Sequence, residues 1–170
     1  MAKGNLASTY INLGQYDEAM KLGIEVLDLC TKVLGPEHPD TLLTKGNLAD
    51  TYRNLGQYDE AKKLEIEVLD LRTKVNLGQY DEAKKLQIEV LDLHTKVLGP
   101  EHPDTLGTKG NLAITYRNLG QYDEAKKLQI EVLDLRTKVL GPEHPDTLKA
   151  KGNLANTYRY LGQYDEAKKL

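Results

Sequence analysis

Three histidines, His38, His102 and His144, recur in the tetrapeptide Glu-His-Pro-Asp, and an imidazole beside carboxylates is a pairing that can ligate a divalent metal. Their spacing argues against a shared ion. Ligands from successive copies are expected about 10 Å apart, a helix-packing distance, whereas a bound Zn²⁺ holds each donor within about 2 Å. The histidines are therefore expected to brace a connection, and no metal or cofactor is expected. Five Asp-Glu pairs (17/18, 59/60, 81/82, 123/124 and 165/166) offer the carboxylates of acid–base chemistry. All five are expected at helix starts, where the helix dipole already accounts for acidic side chains. Cys30 is the single cysteine and occupies the place taken elsewhere by Arg72, His94 and Arg136, so a solvent-facing, non-redox position is expected. No Ser-His-Asp arrangement, glycine-rich phosphate loop or cysteine cluster is readable, and a non-enzymatic protein is expected, with no catalytic residue to name.

What positions these residues is a repeat. Leu-Gly-Gln-Tyr-Asp-Glu-Ala occurs five times, starting at Leu13, Leu55, Leu77, Leu119 and Leu161, at intervals of 42, 22, 42 and 42 residues. A fixed period in this range marks a solenoid, whose copies bury their apolar faces only against neighbours. Copies of approximately 1–39, 40–75, 76–103, 104–145 and 146–170 are expected to form a single array, the third truncated and the last incomplete.

Each full copy carries two helical patterns. In the first helix Leu48, Tyr52 and Leu55 follow i, i+4, i+7 spacing with Ala49 as the small neighbour, and Gly56 ends the helix. The second opens on Asp59 and Glu60 and closes on Arg72 and Lys74, in keeping with its dipole. Its stripe is Tyr58, Ala61, Leu64, Val68, Leu71 and Val75, which Ile66 and Leu69 widen for contact on two sides. Gly35-Pro36 then stops this kind of helix and Pro39-Asp40 starts the next. Between Val75 and Asn76 about 20 residues of the unit are missing, which leaves either a turn at Asn76-Leu77-Gly78 or one continuous helix of about 40 residues; the turn is the favoured expectation, because both Asn and Gly are poor helix-interior residues.

The pieces Asn47-Leu48-Ala49 to Tyr52, Gly56 to Ala61, and Lys32 to Asp40 resemble the 42-residue tetratricopeptide repeat familiar from kinesin light chains. The near-identity of the copies also resembles repeat arrays of fungal nucleotide-binding receptors and consensus-designed repeats. The resemblance covers essentially the whole chain. It implies an all-α, right-handed solenoid acting as a protein-interaction scaffold, whose concave face grips an extended or helical peptide.

On the first helix, Gly46, Asp50 and Arg53 lie about 160° round from the apolar stripe, and differences between copies concentrate there. At the middle position stand Ser8, Asp50, Ile114 and Asn156. Either a ligand groove or drift at a solvated face accounts for this. The groove reading places the peptide on Asn47, Asp50, Arg53, Asn111, Ile114, Arg117, Asn153, Asn156 and Arg159. By the resemblance the asparagines hold a peptide backbone or carboxylate, and the arginines favour an acidic ligand. The repeated Gly4, Gly46, Gly110 and Gly152 suggest close approach by a ligand or a neighbouring helix.

Charge is mixed, 23 basic against 26 acidic residues, so neither nucleic acid nor a membrane is an expected partner. No apolar run is long enough to span a bilayer, no signal core opens the chain, and a cytoplasmic protein is the expectation. The rival function is structural self-assembly, end-to-end or swapped. It rests on uncapped ends, where the helix beginning at Met1 and residues such as Leu154 and Tyr158 are expected to be partly uncovered.

Overall fold

The computed structural model describes residues 2–170, with side chains from Leu6 onward; Met1 and the side chain of Lys3 lie outside the described residues. The elements are α1 (Ala2–Asn12), α2 (Tyr16–Leu34), α3 (Pro39–Asn54), α4 (Tyr58–Leu98), α5 (Pro103–Asn118), α6 (Tyr122–Leu140), α7 (Pro145–Tyr160) and α8 (Tyr164–Lys168). They form two compact units, one ending at Asn76 and one running from Leu77 to Leu170, with α4 contributing to both.

The first helices α3, α5 and α7 start in the same way. The Nδ1 atoms of His38, His102 and His144 accept the backbone N–H of Asp40, Asp104 and Asp146 at 3.1, 3.2 and 3.1 Å. Proline follows at the first helical position, where its missing N–H costs nothing. The histidines are thus N-caps, the bracing role their setting implied. Each first helix also ends in the same way. Gly56, at φ 76°, donates to Arg53 O, and Gln57 donates to Tyr52 O at 2.9 Å, a Schellman closure repeated at Gly14, Gly120 and Gly162.

In the first unit α2 packs between α1 and α3, and α3 packs on the first part of α4. In the second unit α5 packs on α6 and on the latter part of α4, and α7 on α6 and α8. Leu48, Ala49, Ala61 and Val68 are buried, as are Leu112, Ala113, Ala125 and Val132 of the second unit. Half-buried bridges tie each first helix to the second helix that follows it: Lys45–Glu67 at 2.8 Å and Lys109–Glu131 at 2.9 Å.

The expected turn at Asn76-Leu77-Gly78 does not form. α4 runs unbroken through these residues, and Gly78 is absent from the glycines with positive φ. The reason lies five residues before the glutamine. Where the four turns have a tyrosine at the closure position (Tyr10, Tyr52, Tyr116, Tyr158), this copy has Lys74. With the tyrosine and the rest of the first helix missing, continuing the backbone ladder outweighs the ~1 kcal/mol that a helical glycine costs. One Asp-Glu pair is corrected with it. Asp81 and Glu82 lie in the middle of α4, where Asp81 pairs with Lys84 at 3.1 Å, while the other four pairs stand in first turns.

The interruption also uncovers side chains expected in the second-helix stripe. Tyr58 is 67% exposed and Leu69 65%, because no first helix follows this part of α4, whereas α7 follows α6 and leaves Tyr122 and Leu133 half-buried. Two further expectations are corrected. Leu154 is buried at 2% exposure beneath the α6–α7 packing, so it is no open-end residue, although Tyr158 is only half-buried. Cys30 is half-buried and faces α3, its Sγ 4.0 Å from Thr44 Oγ1; His94 and Arg136 turn toward the following first helix in the same way.

The two uses of one glycine give a direct test. Gly78→Ala should stabilise the protein by about 0.5–1 kcal/mol, since a Cβ there meets nothing within 4 Å and the backbone is helical. Gly56→Ala should destabilise it by about 1 kcal/mol or more, because its φ is positive. Urea midpoints of the two variants should therefore move in opposite directions. A loss of stability in Gly78→Ala would mean that a turn forms there after all.

Candidate functional site

The first-helix face opposite the core differs in state between the two units. In the first, Asp50 and Arg53 are exposed and Arg53 is engaged twice, with Asp50 at 2.8 Å and with Glu65 of α4. Asn47 lines a narrow crevice of about 50 Å³ with Ser8, Ile11 and Leu48. This arginine already has two carboxylates.

In the second unit both carboxylates are replaced. The counterpart of Asp50 is Ile114 on α5 and Asn156 on α7, and that of Glu65 is Gln129 on α6. Neither Arg117 nor Arg159 has a carboxylate in ion-pair contact among the described residues. Arg117 comes together with Asn156, Arg159, Tyr160 and Tyr164 around a cavity of about 470 Å³. A contiguous pocket of about 450 Å³ continues from Asn156, Arg159 and Tyr164 along Gly152, Ala155 and Lys168. Arg117 is half-buried.

Of the nine residues read from the sequence, the cavity therefore gathers Arg117, Asn156 and Arg159. Asn111 is exposed, while Ile114 and Asn153 are half-buried, and none of these lines it. The two tyrosines were missed. Tyr160 stacks on Tyr122 of α6, ring centroids 5.4 Å apart and planes 5° from parallel, yet keeps 64% of its surface exposed. Tyr164, 61% exposed, closes the same cavity from α8. A readable signal existed: Tyr160 stands where the other full copies have Asn54 and Asn118. Gln129 was also missed; it is 3% exposed, and neither its Oε1 nor its Nε2 has a hydrogen-bond partner among the described residues.

Of the repeated glycines, Gly4 lies outside the residues whose surroundings are described, and Gly46, Gly110 and Gly152 are not kept for a neighbouring helix. A Cβ on Gly46, Gly110 or Gly152 would meet nothing within 4 Å, and Gly46 and Gly152 border open notches. No helix among the described residues is long and apolar enough to cross a membrane.

The chain's relatives accord with this architecture. One tetratricopeptide-repeat model matches residues 1–74 and 104–170, and a second matches 73–104, the stretch that includes the interruption. No curated protein matches the chain. Among solved structures, a putative kinesin light chain of Podosopora anserina with nearly identical TPR-like repeats, and a point variant of the same protein, are each 32% identical. Either match covers 99% of this chain and 89% of that one, at a TM-score of 0.49. BtubC (BKLC) of P. vanneervenii is 19% identical over 98% of this chain and 57% of its own, at a TM-score of 0.41. Proteins built of this repeat are typically non-enzymatic scaffolds for protein–protein interaction. The repeating helix pairs, the shared caps and the family models together place the chain in the tetratricopeptide-repeat family.

Proposed function

We propose that the protein is a non-enzymatic scaffold that binds an acidic peptide segment of a partner protein in the second unit, across α5, α7 and α8. One observation carries this reading: two arginines from successive first helices, Arg117 and Arg159, meet at one cavity without a carboxylate of their own. Each offers a planar fork that grips a side-chain or terminal carboxylate bidentately. Asn156 supplies a donor and an acceptor for peptide backbone, and Tyr160 and Tyr164 supply flat apolar area with a polar edge. Asn111 and Asn153 extend the backbone contacts along the same face, and Ile114 offers an apolar step between them. In the first unit Asp50 disfavours acid and occupies Arg53, so Asn47, Asp50 and Arg53 contribute a weaker, more selective contact.

A peptide-library screen on the full chain tests the reading, with the triple variant Arg53→Glu, Arg117→Glu, Arg159→Glu as control. Acidic peptides should dominate the wild-type selection and vanish from the variant's. Basic winners, or equal binding of acidic peptides to both proteins, would sink it. Self-assembly is supported by a different surface, the uncovered part of α4, and does not compete for this cavity.

A further inference from the structure

Residues 80–98 of α4 repeat residues 122–140 of α6 with one change, His94 for Arg136. In α6 this sequence is covered by α5, and Ala125 and Val132 are buried. In α4 the equivalent face has no first helix of its own. Leu86 is 62% exposed, Val90 40%, Leu93 60% and Val97 75%. These four are spaced 4, 3 and 4 residues apart, a continuous apolar seam of three turns on a regular helix. An adjoining side of the same helix, about 70° round from the seam, is engaged, with His94 Nδ1 3.0 Å from Thr108 Oγ1 of α5.

We propose that this seam pairs with the same seam of a second copy of the chain, the two α4 helices running antiparallel about a two-fold axis. Charge selects the partner and its direction. Glu89 and Lys96 border the seam on the side away from α5, seven residues apart, both exposed and neither in an ion pair among the described residues. Antiparallel alignment sets Leu86 against the second copy's Val97 and Val90 against its Leu93. It also brings Glu89 of each copy to Lys96 of the other, two equivalent ion pairs made by one symmetry operation. Parallel alignment makes neither pair, because it sets the bordering Glu89 and Lys96 beside the opposite border, where His94 is taken up by α5. Four apolar side chains per copy with their borders bury on the order of 1,000 Å², the low end for a specific interface, so the dimer should be of micromolar strength. A two-fold contact closes on itself, so association stops at two copies.

The test is mass by light scattering on the full chain from about 1 µM to about 500 µM, with Cys30→Ser throughout to exclude disulfides. The wild type should pass from monomer to dimer with a midpoint of about 10–100 µM. Leu93→Glu, at an exposed position, should remain monomeric with an unchanged circular dichroism spectrum. Glu89→Lys or Lys96→Glu alone should raise the midpoint about 3–10-fold, and the two together should restore it. A monomer at every concentration, a mass rising past the dimer, an unaffected Leu93→Glu variant, or a double charge swap no better than the singles would each overturn the proposal. So would a monomeric wild type that instead takes up a synthetic helix of residues 103–118, which would assign the seam to a first helix supplied by another protein.

Discussion

Replacing Arg117 and Arg159 together by glutamate should lower affinity for an acidic peptide by about 100-fold or more, since each charge-assisted hydrogen bond to a carboxylate contributes about 1.5–3 kcal/mol and the substitution adds repulsion. Arg53→Glu should cost about threefold or less, because Arg53 already satisfies Asp50 and Glu65 and has little to give a ligand. Fluorescence anisotropy with a labelled acidic peptide reads both. Equal losses from the two substitutions would show that the intramolecular pairs of Arg53 do not govern its availability. The converse variant is as informative. Ile114→Asp with Gln129→Glu gives Arg117 the two carboxylates that Arg53 has, and should weaken the same peptide about tenfold. If affinity is unchanged by that pair, Arg117 is not the acid-binding residue.

Leu106→Ala should destabilise the protein by about 2–5 kcal/mol, the range for removing a fully buried leucine and leaving a void. Leu106 is 2% exposed near the start of α5. Its counterpart Leu148, at the same place on α7, is 52% exposed. Leu148→Ala should therefore cost below about 1 kcal/mol. Chemically identical substitutions in nearly identical sequence thus read neighbourhood alone. Urea unfolding followed by circular dichroism should separate them clearly, and comparable losses would mean that α7 is covered in solution by something further.

Much of this fold was legible because the copies repeat their punctuation. Gly-Pro stops, His-Pro-Asp starts and the glycine closures are local chemistry, and the helices begin or end on them. The interior of α4 was not legible from the signature, since the same Leu-Gly-Gln-Tyr turns four times and stays helical once. The deciding information lies upstream, in Lys74 replacing a tyrosine and in the absent first helix that the 22-residue interval marks. The core was legible at Leu48 and Ala49 but not at Thr41, Thr105 and Thr147, which are fully buried although a polar residue two places after proline reads as a cap. For the site, the arginines and Asn156 followed from helical phase. Tyr160 and Gln129 did not, because their significance depends on side chains brought close from other helices rather than on spacing along their own.

The connections have a consequence for how the chain finds this arrangement. α3, α5 and α7 each follow the preceding second helix after four residues, 35–38, 99–102 and 141–144, and each second helix follows its first after three where a turn exists. Since α5 and α7 are nearly the same helix, and α6 nearly repeats the latter part of α4, side chains alone discriminate weakly between native and exchanged pairings. What separates them is tethering: a four-residue leash gives the adjacent helix an effective concentration that a distant copy cannot match. The order of the helices is thus held by connector length more than by complementarity. Long insertions at 99–102 would be expected to scramble which helix lies beside which before they weakened any single contact.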